Sequence, residues 1–296
     1  MLKSIMRWIY QYDVAALFIS LVILFNLFIS QRIKTRVSKA FKILAIDLFF
    51  ATVFDLITIY TISYYELCPV WLNYVLNIIA LLTYNSLPVF YIISIMYGAL
   101  SEEQDFTITQ KLFLAIPICA ASFLIITTPF TKAVIYFTAD GQYKIGSTFD
   151  ILTVIGFVYL IMVVIYGIMK RKTLRTEQTI TIIVYTVTTI SALIICNIWT
   201  KLLITLFFAS LSVLVTYLSL DNPSEYTDPI MDIYNKKAFM FTTANFFNSH
   251  KQFTVLGIQI EGISYLNETL GYNNFNKILV KIARKICGIC GKNNVY

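Results

Sequence analysis

Two acidic residues and three asparagines stand inside apolar stretches of the chain, where polar side chains are uncommon. Asp47 and Asp55 are eight residues apart, close to two helical turns, so they share one face of a helix. Asn73 and Asn77 are four residues apart in the next apolar stretch, and Asn85 falls on the same stripe two turns later. Within a membrane, ionisable groups mark sites for ions, protons or polar ligands.

The same residues also have a structural interpretation. Asparagines inside a membrane form hydrogen bonds between helices, and the pattern favours this role for all three of them. Asp47 lies close in sequence to a basic segment, where its carboxylate can be buried near the interface. For Asp55 the functional and the structural interpretations both stay open.

A second set of polar residues lies in two short segments near the end of the chain. Residues 228–239 read Asp-Pro-Ile-Met-Asp-Ile-Tyr-Asn-Lys-Lys-Ala-Phe, and residues 257–272 read Gly-Ile-Gln-Ile-Glu-Gly-Ile-Ser-Tyr-Leu-Asn-Glu-Thr-Leu-Gly-Tyr. In register, both resemble opening motifs of the GGDEF domain of the diguanylate cyclase family. Asp228, Asn235 and Phe239 match the first motif, whereas Met-Asp replaces its Thr-Gly pair. Two matches at the expected distance are more specific than one motif alone.

The resemblance implies a chemistry in which magnesium bridges the phosphates of bound GTP, and carboxylates are suitable ligands for this hard ion. Gln259 stands where the family has a metal-binding aspartate, and its neutral amide is a poor substitute. Asn267 matches a guanine-binding asparagine, and Asn276 takes the place of the aspartate that assists it. These two asparagines are the candidates for a vestigial nucleotide site.

The GGDEF sequence itself does not occur in this chain. We therefore interpret residues 221–296 as a truncated and degenerate GGDEF-like segment. We expect no catalytic residue, no metal site and no cofactor, with magnesium and GTP bound only if the family activity survived. Because family members work as dimers, the resemblance implies pairing with a second copy or with an intact GGDEF protein.

The amino-acid composition of the chain predicts the kind of secondary structure that holds these residues. The 296 residues are 58% hydrophobic and 13% charged, whereas a soluble protein carries about 25% charged residues. With several apolar runs near the length of a membrane span, this predicts an α-helical polytopic membrane protein. The net charge of +7 sits largely in two short basic segments. The sequence shows neither an arginine-rich arm nor a basic recognition helix, so a nucleic-acid partner is excluded.

Six apolar runs predict seven transmembrane helices within residues 1–220, because the last run is long enough for two. The first five helices are predicted at residues 13–30, 43–64, 70–100, 111–128 and 151–169. The run at 179–220 would form a helix of about 60 Å, twice the hydrocarbon thickness, so it is expected to turn near residues 197–201.

The basic segments at residues 31–42 and 170–175 fall on one side of the membrane in this arrangement. Since basic loops stay inside the cell, the N-terminus is expected outside and residues 221–296 in the cytoplasm. The protein is thus predicted to be a multi-pass protein of the cell membrane.

Shorter elements complete the predicted fold. Asp140-Gly141 is a turn signal that predicts a hairpin between residues 135–137 and 143–145, within a loop at 129–150. In the tail, helices are predicted at 236–248, 263–270 and 274–287, with Asn235 as an N-cap, and a buried strand at 253–260. The abundant tyrosine and phenylalanine side chains are interpreted mainly as lipid-facing and interfacial.

Three functions are compatible with this organisation. The leading hypothesis is a membrane sensor that receives a small-molecule or intramembrane signal and passes it to the GGDEF-like segment, within cyclic di-GMP signalling. The arrangement resembles bacterial seven-helix sensors that precede histidine kinases and cyclases. The second hypothesis is a transporter or channel with an unrelated tail, which requires paired charges in the membrane. The third is a gene fragment without independent function.

Overall fold

The computed structural model describes residues 10–29, 36–99, 105–138, 141–172, 174, 176–198, 203–220, 226–248, 250, 252–291 and 294–296. These residues form two compact units, a larger one from those up to residue 220 and a smaller one from those after residue 225. We refer to them as the helical unit and the tail unit.

The helical unit consists of seven α-helices and a two-stranded sheet within the described ranges. Six of the helices are long and apolar enough to cross a membrane, so the predicted helical multi-pass membrane protein is confirmed. The last helix has 16 residues, and a seventh span stays a prediction. The helices are α1 Gln11–Ile29, α2 Arg36–Ser63, α3 Val70–Ala99, α4 Ile108–Thr131, α5 Phe149–Lys170, α6 Thr176–Ile198 and α7 Thr205–Leu220.

Two helix ends differ from the predicted spans. α2 begins at Arg36, so part of the segment predicted as a basic loop is helical; lysine, arginine and alanine favour the helix, which continues beyond its apolar part. α4 continues through Pro129 to Thr131, although this proline was predicted to begin a loop. In membrane helices neighbouring groups satisfy the backbone that a proline leaves free, so proline is a weaker stop signal there.

A polar cluster holds the start of α4 near the start of α2. Thr107 and Gln110 form a capping box, in which each side chain accepts a hydrogen bond from the other residue's backbone N–H. Asp105 forms an ion pair with Lys111 at 3.1 Å and lies 4.0 Å from Arg36. The backbone N–H of Phe106 and the lysine lower the pKa of Asp105 from its ordinary value. Arg36 and the α3–α4 connection therefore lie at the same end of the bundle.

The predicted hairpin is confirmed. β1 Ile135–Phe137 and β2 Tyr143–Ile145 pair antiparallel, with Ile135 opposite Ile145. Asp140 lies outside the described residues, and Gly141 has the positive φ of 80° that a tight turn requires. Tyr74 of α3 accepts a hydrogen bond from the N–H of Phe137 and packs its ring against the phenylalanine ring at 4.9 Å. The hairpin is thereby fixed to α3.

The tail unit contains three helices, α8 Lys236–Asn248, α9 Ile263–Leu270 and α10 Tyr272–Cys290. All three correspond to predicted helices. Asn235 caps α8, since its Oδ1 accepts a hydrogen bond from the N–H of Ala238 at 3.1 Å. A small core forms where Ile233, Ala283 and Val295 meet.

The predicted buried strand at residues 253–260 is wrong. These residues form no strand, and several of their apolar side chains are exposed, including Leu256 at 80%. β-branched and aromatic residues give the segment a local preference for extended backbone. A strand also needs a neighbouring strand to satisfy its N–H and C=O groups, and the described part of the tail unit provides none.

Candidate functional site

The helical unit encloses a pocket of about 510 Å³. Its walls come from α1, α2, α3, α5, α6 and α7, and from strand β2 through Tyr143 and Ile145. The lining is mostly aliphatic and aromatic, with a few polar groups among them. This volume and this composition are typical of sites that bind small molecules.

Two carboxylates line the pocket from different helices. Asp55 belongs to α2, and Asp13 belongs to the first turn of α1. Both residues belong to the lining of the same pocket. Asp13 is only 1% exposed, and its Oδ2 has no hydrogen-bond partner within the described chain. A buried carboxylate oxygen without a partner is energetically costly, so this position requires an explanation beyond packing.

Asp47 has a different environment, although the sequence places it on the same face of α2. It is absent from the pocket lining, and its Oδ2 accepts a hydrogen bond of 2.8 Å from Ser86 of α3. Asp47 therefore links two helices, as a structural interpretation requires. Of the two acidic residues selected from the sequence, Asp55 is the one in the pocket.

The three predicted asparagines are all buried, but they do not act alike. Asn77 and Asn85 line the pocket, and each donates its amide N–H to the preceding turn of α3, to the carbonyls of Asn73 and Leu81 at 2.8 Å. Within the described chain, neither residue forms the predicted hydrogen bond to another helix. Asn73 lies outside the pocket lining, and both polar atoms of its side chain lack partners within the described chain.

Five tyrosines line the pocket, and they differ from the lipid-facing and interfacial role expected for most tyrosine side chains. Tyr91 and Tyr185 stack with ring centroids 4.0 Å apart. The Tyr91 hydroxyl bonds to Thr181 O and to the Thr216 hydroxyl, and the Tyr159 hydroxyl donates to Leu114 O at 2.6 Å. The set is Tyr84, Tyr91, Tyr143, Tyr159 and Tyr185.

Sequence reasoning missed Asp13 and these tyrosines. Asp13 was treated only as the first residue of a span, since an acid in the first helical turn is ordinary. The tyrosines on α3 did carry a signal. Asn77, Tyr84 and Tyr91 recur every seven residues, which places them on one stripe of the helix, and all three line the pocket.

The candidate nucleotide and metal positions of the tail unit are spread over three segments. Gln259 is exposed in the irregular segment before α9, Asn267 is exposed on α9, and Asn276 is partly buried on α10. The described residues contain no group of three or more histidine, cysteine, aspartate or glutamate side chains able to hold a metal ion.

Comparison of the chain with protein-family models, curated proteins and solved structures finds no match.

Proposed function

We propose that this protein is a membrane sensor, whose helical unit binds a small molecule in the pocket and passes the change to a GGDEF-like cytoplasmic tail. The observation that carries the proposal is the pocket of about 510 Å³ with the unpaired, buried Oδ2 of Asp13. A bound ligand would supply the partner that the described chain does not supply, which is the usual explanation for an unsatisfied polar group in a cavity.

The output of this sensor is proposed to be contact rather than catalysis. The tail has the first GGDEF-like motif, with Asn235 in place as the cap of α8. Its candidate metal position, Gln259, is exposed and neutral. The tail would therefore act by pairing, either with a second copy or with an intact GGDEF protein, and would influence cyclic di-GMP synthesis in that partner.

A ligand screen tests the sensor proposal. Full-length protein in detergent is screened with a small-molecule library by thermal shift, beside Gly156→Phe and Gly156→Ala. Gly156 lines the pocket, and a Cβ added there meets no atom within 4 Å. Phenylalanine should therefore fill pocket space, and alanine should be tolerated.

A sensor ligand should stabilise the native protein and Gly156→Ala but not Gly156→Phe. It should also change hydrogen exchange in α8. Failure of every compound to bind, or binding that leaves the exchange of the tail unchanged, would contradict a sensor.

The pair formed by Asp13 and Asp55 favours transport as the second candidate function. Carboxylates within a helical bundle also serve ion and solute pathways. Flux into proteoliposomes separates the two functions. A sensor should give no flux above that of empty liposomes, whereas accumulation of a solute that is lost in Asp55→Asn would establish transport.

We expect a topology with the hairpin outside and the α5–α6 connection inside. Membrane-spanning helices alternate in direction, and basic residues such as Arg171 and Lys172 remain in the cytoplasm. Fusions that end at Gln142 should activate alkaline phosphatase, and fusions that end at Lys172 should activate a cytoplasmic fluorescent reporter. Cytoplasmic fluorescence from the Gln142 fusion would contradict the arrangement.

We also expect no synthesis of cyclic di-GMP by the purified protein. Magnesium binds poorly where Gln259 replaces a carboxylate, and each lost hydrogen bond to a charged group weakens binding by about 1.5–3 kcal/mol. The measurement is mass spectrometry after incubation with GTP and magnesium, with an intact diguanylate cyclase as the positive control. Product that disappears in Asn267→Ala would overturn this expectation.

A further inference from the structure

We infer that the pocket selects small organic cations over neutral and anionic molecules, a conclusion that rests on the proposed ligand-binding function. The charged side chains of the described lining all have the same sign. Asp13 and Asp55 are acidic, and the described lining contains no lysine, arginine or histidine. A negative ligand would meet two carboxylates without a compensating cation, and such like-charge contacts disfavour binding strongly.

The Asp13 oxygen that has no partner in the described chain indicates where the positive group of a ligand would bind. The Asp13 carboxylate is buried on α1, and its Oδ2 lacks a donor among the residues that the structure describes. An ammonium group has donors and no acceptor, so it satisfies a carboxylate oxygen without adding a further unmet acceptor. Asp55 lines the same pocket, so a ligand there meets a second carboxylate.

The amide groups in the lining extend the set of acceptors. Asn77 and Asn85 each use their N–H groups on the backbone of α3. No hydrogen bond is made to their Oδ1 atoms by the described chain. The amides therefore offer oxygen atoms, which suit a donor-bearing ligand.

The aromatic rings of the lining favour an organic cation over a metal ion. The hydroxyls of Tyr91 and Tyr159 are occupied by hydrogen bonds to Thr181 O, the Thr216 hydroxyl and Leu114 O. These hydroxyls are therefore not available as donors, whereas Tyr84 of the lining is 40% exposed and offers ring surface. Tyrosine faces attract alkylated ammonium groups, and cages of such rings together with carboxylates recognise quaternary amines.

A bare metal ion does not fit these walls. Calcium requires six to eight oxygen ligands and magnesium an octahedral set. The two carboxylates and the two amide oxygens stand among mostly aliphatic and aromatic walls, and the cavity of about 510 Å³ is far larger than a bare ion. An organic cation instead fills the volume with apolar groups and brings its charge to the carboxylates.

Equilibrium dialysis of full-length protein tests the inference. The probes are benzylammonium and 2-phenylethylammonium, which carry N–H donors, each compared with its neutral hydroxyl isostere, benzyl alcohol and 2-phenylethanol. Each cation should bind at least about tenfold more tightly than its isostere. Asp13→Asn and Asp55→Asn should each weaken cation binding by about 30-fold or more, because they remove one side of a buried charge pair.

Asp47→Asn is the matched control, since it also removes a carboxylate of α2 but lies outside the lining. It should change cation affinity by less than about twofold, within the usual range for a residue without contact to the ligand. A thermal unfolding curve for every variant shows that it is folded. An equal loss in Asp47→Asn would overturn the inference, because the effect would then be general.

Two further results would overturn it. One is equal binding of cations and neutral isosteres. This result would contradict the preference for cations but not the proposal of a small-molecule sensor. Absence of any pocket ligand in the thermal-shift screen would contradict both. The other is cation binding that appears only in Lys201→Met. Lys201 lies outside the described residues, and that result would show that a lysine of the chain fills the place assigned to the ligand.

Discussion

Gly146→Ala is expected to detach the hairpin from the helical unit. A Cβ at residue 146 would lie 2.6 Å from the carbonyl oxygen of Lys132 and closer still to that of Ala133. These atoms are backbone, so they cannot swing aside as a flexible side chain would. The chain must move, although Gly146 donates to Val134 O at 2.8 Å and Thr148 donates to Ala133 O at 2.9 Å.

Loss of these two bonds predicts a large effect. Gly146 and Thr148 are half-buried, so each lost hydrogen bond costs roughly 0.5–1.5 kcal/mol, and the helical unit should lose about 1–3 kcal/mol of stability in addition to the strain at residue 146. Tyr143 and Ile145 of the hairpin line the pocket, so binding of any pocket ligand should fall with it. Hydrogen exchange of β1 and β2 and thermal unfolding in detergent are the measurements.

Gly156→Ala is the matched control for this substitution. A Cβ at residue 156 meets no atom within 4 Å, and the residue lies inside α5. Alanine is favoured over glycine in a helix by about 1 kcal/mol, so the variant should be as stable as the native protein or slightly more so. Equal thermal stability of the two alanine variants would show that the short distances around residue 146 contribute little to the free energy of unfolding.

Tyr91→Ala is expected to destabilise the helical unit by about 3–5 kcal/mol, the usual cost of removing a large buried aromatic side chain. Tyr91 lies on α3 and is 2% exposed. Its hydroxyl reaches Thr181 of α6 and Thr216 of α7, and its ring stacks on Tyr185 of α6. One side chain thus connects three helices.

Tyr91→Phe should cost much less, about 1 kcal/mol, the net value of a typical hydrogen bond. The Thr216 hydroxyl still donates to Ser212 O at 2.8 Å, so no donor there is left unpaired. Tyr60 is 60% exposed, and Tyr60→Ala serves as a surface control with an expected change within about 1 kcal/mol. Unfolding curves that rank Tyr60→Ala with Tyr91→Ala would contradict this account.

The spans could be predicted from the sequence because apolar length is a property of consecutive residues. α3 was expected at residues 70–100 and runs over Val70–Ala99. The hairpin was equally local, since the pattern around Gly141 contains both its strands and its turn. In each case the information lies within the segment itself.

The pocket could not be predicted in the same way, because it depends on which faces of separate helices meet. Asp13 and Asp55 are far apart in sequence and become neighbours only when α1 packs on α2. The strand prediction for residues 253–260 was wrong for a related reason. Its residues favour extended backbone, but a strand depends on a partner that local sequence does not specify.

The two polar side chains of α1 that form hydrogen bonds are bonded to their own helix. Ser20 donates to Leu17 O and Asn26 to Val22 O, and within the described chain no side-chain hydrogen bond joins α1 to another helix. Packing holds α1, together with the ammonium of Lys42, which lies 4.6 Å from the centroid of the Phe28 ring. A helix held in this way can slide along its neighbours without breaking a hydrogen bond between the described side chains. Such displacements take microseconds to milliseconds. A ligand that binds both Asp13 and Asp55 would slow this sliding. Binding in the pocket would then change the rate at which α1 moves as well as its position.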